Sequence, residues 1–128
     1  NRCATVAALV EEGLVDYVAL DIKATAEDYV QVCGVNGFQQ AAKTAKALQW
    51  AGAAYELRTT LYPGMTRKAL CDLLAAFPPA PRWRVNYFRP PALFRPQDAP
   101  LLRRPALSQP ELMADREALL AIQPNLIL

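Results

Sequence analysis

Two opposite charges at the end of an apolar stretch are the first candidates for chemistry in this sequence. Asp21 and Lys23 close the segment 16–23, whose alternating apolar residues are typical of a β-strand. A strand in a helix-covered parallel sheet is expected to be apolar on both faces, and burying charge is costly unless the charge is paired or bound. Ligands bind at the carboxyl ends of strands in α/β proteins. We therefore expect Asp21 and Lys23 to line a ligand site.

Two further predicted strands, 55–62 and 82–88, also carry polar side chains on one face and bulky side chains on the other. If the strands line a barrel, the shared polar face forms a ligand cavity. If they are edge strands with one face in water, polar alternation is ordinary, and the residues alone favour neither interpretation. We call the following set the polar face: Asp21, Lys23, Glu56, Arg58, Thr60, Arg84 and Asn86.

The elements that must position these residues alternate between helices and strands. Helical spacing and capping residues predict helical segments over 4–12, 26–32, 38–50, 66–77 and 108–123. Period-two alternation predicts strands over 16–23, 55–62, 82–88 and 125–128. This alternation predicts an α/β fold with a parallel sheet and right-handed crossovers.

The segment 89–110 is expected to be an extended, Pro/Arg-rich loop, because its six prolines disfavour regular structure. The terminal helix, 108–123, should follow it, with Ser108 at the cap and Glu111 three residues on. Trp50 and Trp83 are both expected to pack between a helix and a strand.

Composition restricts the class of protein. At 128 residues the chain is one domain or part of one, and it is short for a complete α/β barrel of roughly 200 or more residues. A net charge of +2 is too small to imply a polyanionic partner, and the absence of His excludes His-based triads. No run of about 18 apolar residues is present, so we expect no membrane span.

The three cysteines, Cys3, Cys33 and Cys71, are widely spaced. Their odd number and their separation argue against a disulfide scaffold and against a metal site made by this chain alone. A reducing, cytoplasmic location fits this usage best. For Cys33 and Cys71 we expect the role of small buried hydrophobic residues.

Several strings of residues resemble a known family. They are Asp-Tyr-Val-Ala-Leu-Asp-Ile-Lys at 16–23, Tyr-Glu-Leu-Arg-Thr-Thr-Leu-Tyr-Pro-Gly at 55–64, and Asn-Tyr-Phe-Arg-Pro at 86–90. In this order and spacing they resemble the later strands of radical SAM activating proteins for glycyl radical enzymes. The resemblance is greatest to the activating proteins of anaerobic ribonucleoside-triphosphate reductase, and it extends from about residue 5 to the last helix.

This resemblance implies a partial (β/α) barrel with a 4Fe-4S cluster. Such enzymes cleave S-adenosylmethionine reductively, and the resulting radical abstracts hydrogen from a glycine of a partner, here anaerobic ribonucleotide reductase. By position, Asp21 and Lys23 match the family's Asp-x-Lys pair beside the cofactor, and Arg58 matches the strand arginine that approaches it. Thr60 and Asn86 share that face. We expect these side chains to contact S-adenosylmethionine, whose carboxylate, ammonium and hydroxyl groups suit charged partners.

The family's cluster-binding CxxxCxxC loop is missing from this sequence, as are its glycine-rich segment and early strands. We therefore expect residues 1–128 to be the C-terminal half of the barrel, with Asn1 ending a preceding strand. The N-terminal half would supply the cluster ligands, so this piece alone should bind no cofactor tightly and should be inactive. We assign no catalytic or metal-ligating residue to it. The His that some relatives place near the strand end at 86–89 is also missing.

Alternative functions rest on the segment 82–104, which mixes arginines with aromatic residues. That mixture is typical of single-stranded nucleic-acid binding, although packed aromatics with solvated arginines explain it more simply. The same segment, beside the mouth of the barrel, is also suited to docking a protein partner. A barrel fragment without activity is a further interpretation.

Overall fold

The computed structural model describes residues 3–128, and helices alternate with strands along this part of the chain. The strands are β1 (Val18–Asp21), β2 (Tyr55–Thr60), β3 (Trp83–Asn86) and β4 (Leu126–Ile127). The helices are α1 (Cys3–Glu11), α2 (Tyr29–Cys33), α3 (Phe38–Trp50), α4 (Arg67–Ala75), α5 (Ala99–Leu102), α6 (Gln109–Ala114) and α7 (Arg116–Ile122). The expectation that Asn1 ends a strand lies outside the described residues.

The four strands form one sheet in the order β1-β2-β3-β4, and every neighbouring pair is parallel. The prediction of an α/β fold with parallel strands alternating with helices is therefore confirmed. When strands that follow one another in sequence are also neighbours in the sheet, crossover connections of the same handedness place all the connecting helices on the same face. Between residues 3 and 128, no helix has the length and apolar character needed to cross a bilayer.

One face of the sheet forms the hydrophobic core. Leu20, Leu57 and Val85 are buried there and pack in one cluster with residues of α3 and α4, such as Leu48 and Leu73. These strand residues belong to the bulky faces that the alternation predicts. The polar residues of β1, β2 and β3 point away from this cluster, as alternation in a strand requires.

Trp83 is completely buried, and its ring meets the Phe77 ring edge-on at a centroid distance of 5.4 Å. The prediction that Trp83 packs between helix and strand is therefore confirmed. The same prediction for Trp50 is wrong, because Trp50 is 92% exposed. Trp50 lies two residues after the buried Leu48. Two residues correspond to a rotation of about 200° around the helix, so the Trp50 side chain points away from the core.

The Pro/Arg-rich loop at 89–110 is partly helical, so the expectation of an extended connection needs correction. A 3-10 turn spans Pro96–Asp98, and α5 follows it directly. Pro96 and Pro100 each occupy the first turn of their helical segment, where a missing backbone N–H costs no hydrogen bond. The prolines of this segment therefore lie in the first turns of short helices and do not exclude helical structure.

The terminal helix predicted over 108–123 is divided into α6 and α7. Its start is as expected, because the Ser108 N–H donates to the Glu111 carboxylate at 2.8 Å. Asp115 interrupts it with a non-helical ψ of 9°, and its carboxylate pairs with Arg67 on α4 at 2.9 Å. Aspartate is more favourable at helix ends than in helix interiors, and it ends α6 here.

Gln123 fixes the end of α7 against the end of α4. Its side chain is buried, and Nε2 donates to the carbonyls of Leu74 at 2.9 Å and Phe77 at 3.1 Å. Its Oε1 accepts from the Ala80 N–H at 3.1 Å. The last carbonyls of a helix have no partner within the helix, so Gln123 supplies partners that the α4 end would otherwise lack.

Candidate ligand-binding site

Asp21, Lys23 and Arg58 form one ion-pair cluster at the carboxyl ends of β1 and β2. Asp21 and Arg58 are register partners on these neighbouring strands. The Arg58 Nε donates to Asp21 Oδ1 at 3.0 Å, and the Lys23 Nζ donates to Asp21 Oδ2 at 2.7 Å. Each carboxylate oxygen therefore has its own cation, and the cluster carries one excess positive charge when Asp21 is ionised.

The surroundings of Asp21 keep its carboxyl ionised at neutral pH. Partial burial acts to raise its pKa, but the hydrogen bond and charge of Lys23, together with the charge of Arg58, lower that pKa below its ordinary value. The three side chains remain between about two-fifths and one-half exposed. A ligand can therefore reach them, and water weakens their mutual attraction.

Thr60 and Asn86 form a second group, one step further along the same face. They are register partners on β2 and β3, and they line an open groove with Tyr87, Phe88 and Arg89. Thr60 is exposed and Asn86 is half-buried. The structure thus brings the expected site residues together in two groups on one face, and within residues 3–128 no hydrogen bond joins Thr60 or Asn86 to Asp21.

An open cavity of about 530 Å³ lies beside β1 and includes Asp21 and Lys23 in its lining. Its volume falls within the roughly 300–1,000 Å³ of small-molecule sites. Its lining also includes Tyr29 and Cys33 of α2, Asn36 of the following loop and Gln40 near the start of α3. Burial raises the pKa of the Cys33 thiol, although Lys23 opposes this, so the thiol is protonated at neutral pH.

The cavity residues Asn36 and Gln40 did not emerge from the sequence. Cys33 was expected to be buried, but it is half-buried and lines the cavity. The position of Cys33, Asn36 and Gln40 in the sequence could have indicated them, because they belong to the connection that follows the carboxyl end of β1. Ligands bind at such strand ends in α/β proteins.

A hydrogen bond between Tyr62 and Asp28 holds the segment after β1 against the end of β2. The Tyr62 hydroxyl donates to Asp28 Oδ2 at 2.7 Å, and the Asp28 N–H donates to Thr25 Oγ1 at 3.2 Å. Burial and the Asp28 carboxylate together raise the pKa of Tyr62 well above its ordinary range. Tyr62 therefore stays protonated and remains a donor to Asp28 at neutral pH.

A second charged cluster surrounds Glu56 on the polar face. Glu56 is buried, Arg82 Nε lies 3.3 Å from its Oε2, and Arg84 Nε lies 4.0 Å from the same oxygen. Glu56 and Arg84 were expected on this face, whereas Arg82 was not. Arg82 could have been predicted on this face, because it lies two residues before Arg84 and side chains two apart in a strand point to the same side.

Residues 3–128 do not assemble a metal centre. Among them, no three His, Cys, Asp or Glu side chains are grouped in a way that could hold a metal ion. Cys3, Cys33 and Cys71 are free thiols and half-buried.

The Pro/Arg-rich segment folds back beside the site. The Gly64 N–H, in the turn after β2, donates to the Pro105 carbonyl at 2.8 Å, and the Arg104 side chain lies directly over Gly64. At the other end of the segment, Leu93 is 91% exposed and Phe94 is 52% exposed. The segment therefore presents apolar side chains to solvent.

Comparison with known proteins identifies no family. A scan against protein-family models finds no match to the chain, and a search of curated proteins finds no significant match. The function of this chain is therefore inferred from its residues and their geometry.

Proposed function

We propose that this chain supplies the later strands of a radical SAM partial barrel that activates a glycyl radical enzyme, anaerobic ribonucleotide reductase. The observation that carries the proposal is the ion-pair cluster of Asp21, Lys23 and Arg58 at the carboxyl ends of two adjacent parallel strands. These are the positions at which the chain resembles the family's cofactor-binding residues. Strand ends at one edge of a parallel sheet are also where α/β enzymes bind ligands.

The layout of the sheet supports a barrel segment. Helices cover one face of four strands that follow one another in sequential order, while charged and polar side chains occupy the other face. In a (β/α) barrel the helices form the outer ring and the other face of each strand points inward. Doubly wound sheets differ, because they carry helices on both faces.

The donor and acceptor chemistry of the site fits S-adenosylmethionine. Lys23 and Arg58 suit its carboxylate, and the Asp21 carboxylate suits its ammonium group or its ribose hydroxyls. Thr60 and Asn86 add neutral hydrogen-bonding groups on the same face. When bound, the cofactor would supply the radical chemistry, and these residues would bind and orient it. Under this proposal the cluster ligands lie in the N-terminal half of the barrel.

A second candidate function is a non-catalytic α/β module that binds a protein through the segment 82–104. The exposed Leu93 and Phe94, next to Arg95, favour this candidate. Single-stranded nucleic acid is less favoured as the ligand, because the completely buried Trp83 cannot stack on a base.

The first test is to read the coding DNA that precedes Asn1. We expect an in-frame CxxxCxxC motif followed by a glycine-rich segment. The complete polypeptide, reconstituted with its cluster, should then produce a glycyl radical signal on the reductase in electron paramagnetic resonance. Arg58→Gln should reduce that signal, whereas Lys43→Gln, on the exposed surface of α3, should not.

An upstream stop codon beside an unrelated gene would contradict the proposal. So would a complete polypeptide with a reconstituted cluster that fails to cleave S-adenosylmethionine. In either case the protein-binding module becomes the better-supported function.

A further inference from the structure

Arg58 and Arg84 are two like charges placed directly opposite each other. They are register partners on β2 and β3, and both side chains lie on the polar face, about two-fifths exposed. Directly opposed like charges in a sheet destabilise it. The repulsion between these two side chains would be relieved by an anion bound at this part of the polar face.

The polar contacts of both arginines leave most of each guanidinium group available. Arg58 uses its Nε for Asp21, and Arg84 approaches Glu56 only through its Nε, at 4.0 Å. Within residues 3–128, the terminal Nη groups of Arg58 and Arg84 make no hydrogen bond. Guanidinium Nη groups are the donors that bind carboxylate and phosphate in a bidentate way.

The charge balance of the region also favours an anionic ligand. Two ion-pair clusters lie side by side, one around Asp21 and one around Glu56, and each places two cations on one carboxylate. When all groups are ionised, cations exceed anions in each cluster. The next residues along the two strands, Thr60 and Asn86, add a hydroxyl and an amide beside the arginine pair.

We propose that Arg58 and Arg84 form a binding site for an oxyanion, with Thr60 and Asn86 as neutral hydrogen-bonding partners. The ligand group is a carboxylate or a phosphate. Glu56 acts as a positioning residue that holds the Arg84 side chain on the polar face. The site needs no iron–sulfur cluster, so it goes beyond the proposed function. Only the identification of the oxyanion as the carboxylate of S-adenosylmethionine rests on that function.

The site is tested by following the arginine Nε–H signals of the ¹⁵N-labelled chain by NMR during titration with inorganic phosphate. Sodium chloride at matched ionic strength is the reference. We expect saturable shifts at Arg58 and Arg84, and a phosphate affinity about tenfold weaker in Arg84→Gln, the loss expected for one charge-assisted contact. Arg84→Lys, which keeps the charge but not the planar fork, should be intermediate. Arg116→Gln, on the exposed surface of α7, should bind like wild type.

Equal phosphate affinity in wild type and Arg84→Gln would overturn the proposal, as would shifts that never saturate. A second arm uses the complete polypeptide with S-adenosylmethionine and with decarboxylated S-adenosylmethionine, which lacks only the carboxylate. Arg84-dependent binding of the first compound alone identifies the oxyanion as its carboxylate. If phosphate binds but S-adenosylmethionine does not, the oxyanion site stands and the proposed function fails. Circular dichroism and thermal unfolding show whether each variant is folded.

Discussion

Arg58 and Asp21 are register partners on neighbouring parallel strands, and the Nε of Arg58 lies 3.0 Å from Oδ1 of Asp21. Lys23 takes the other oxygen of the same carboxylate, from a position two residues further along the chain. One carboxylate is therefore held by a cation from each of two chain segments. This arrangement makes Asp21 the residue whose removal should affect the site most.

The lowered pKa of Asp21 predicts a specific loss of stability in acid. A group whose pKa is depressed by folding contributes stability above its unfolded pKa, about 3.9 for Asp, and loses that contribution as the pH falls through the folded pKa. The free energy of unfolding of Asp21→Asn should therefore approach that of wild type as the pH falls from about 5 to 3. Urea unfolding across this range measures the difference.

Asp16→Asn, on the exposed segment before β1, is the matched control for Asp21→Asn. It should follow the pH dependence of wild type. A constant difference between Asp21→Asn and wild type over the whole range would contradict the assignment.

The ion pair between Asp21 and Arg58 should be worth more than a fully solvated pair. In a double-mutant cycle we expect a coupling of about 0.5–1 kcal/mol, because both side chains are only partly exposed. Lys68 and Asp72 on α4 form the comparison pair, with side chains 83% and 54% exposed, and their coupling should be weaker because water screens it. Equal couplings would show that partial burial does not strengthen the pair.

The hydroxyl of Thr59 joins three strands. It accepts a hydrogen bond from Trp83 Nε1 at 3.0 Å and donates to the Ile22 carbonyl just beyond β1 at 3.0 Å. Thr59→Val should leave the buried indole N–H unpaired and reduce the free energy of unfolding by about 1–3 kcal/mol. Equilibrium unfolding in urea measures this loss.

The neighbouring Thr60→Val is the matched control for Thr59→Val, because Thr60 is exposed. Its stability should stay within about 0.5 kcal/mol of wild type. If the two variants are equally stable, the Thr59 hydroxyl does not contribute as the geometry indicates.

Gln123 should be one of the polar residues on which stability depends most. Gln123→Ala removes the partners of the Leu74 and Phe77 carbonyls and also leaves a small void, so we expect a loss of about 2–4 kcal/mol. Thermal or urea unfolding measures it. Gln49→Ala, exposed on α3, should be nearly neutral, and a similarly small effect at Gln123 would be inconsistent with its buried hydrogen bonds.

Period-two alternation was enough to predict which strand residues enter the core, and the predicted limits of α3 agree with the structure. Alternation does not fix register, however. It places Asp21 and Arg58 on one face, but the pairing of these two residues depends on where each strand starts relative to its neighbour. The split of the expected site into two groups was therefore not predictable from the sequence.

Other features were missed because they depend on long-range contacts. Gln123 lies 46 positions after Phe77, and no local pattern marks it as the partner of that carbonyl. The Tyr62–Asp28 hydrogen bond spans 34 positions in the same way. The short helices at 96–102 are a different case: the density of prolines predicts an extended loop, but proline is favourable in a first helical turn.

The core face and the polar face of the sheet divide the residues of this protein into a buried set and a more accessible set. Most of the residues that stabilise the fold lie in the helix-covered layer, whereas most of those that can meet a ligand lie on the opposite side of the same strands. A substitution at a half-exposed position such as Arg84 can therefore change what is recognised at little cost to the core. Ligand preference in such a scaffold can diverge through single changes on one side while the architecture stays constant.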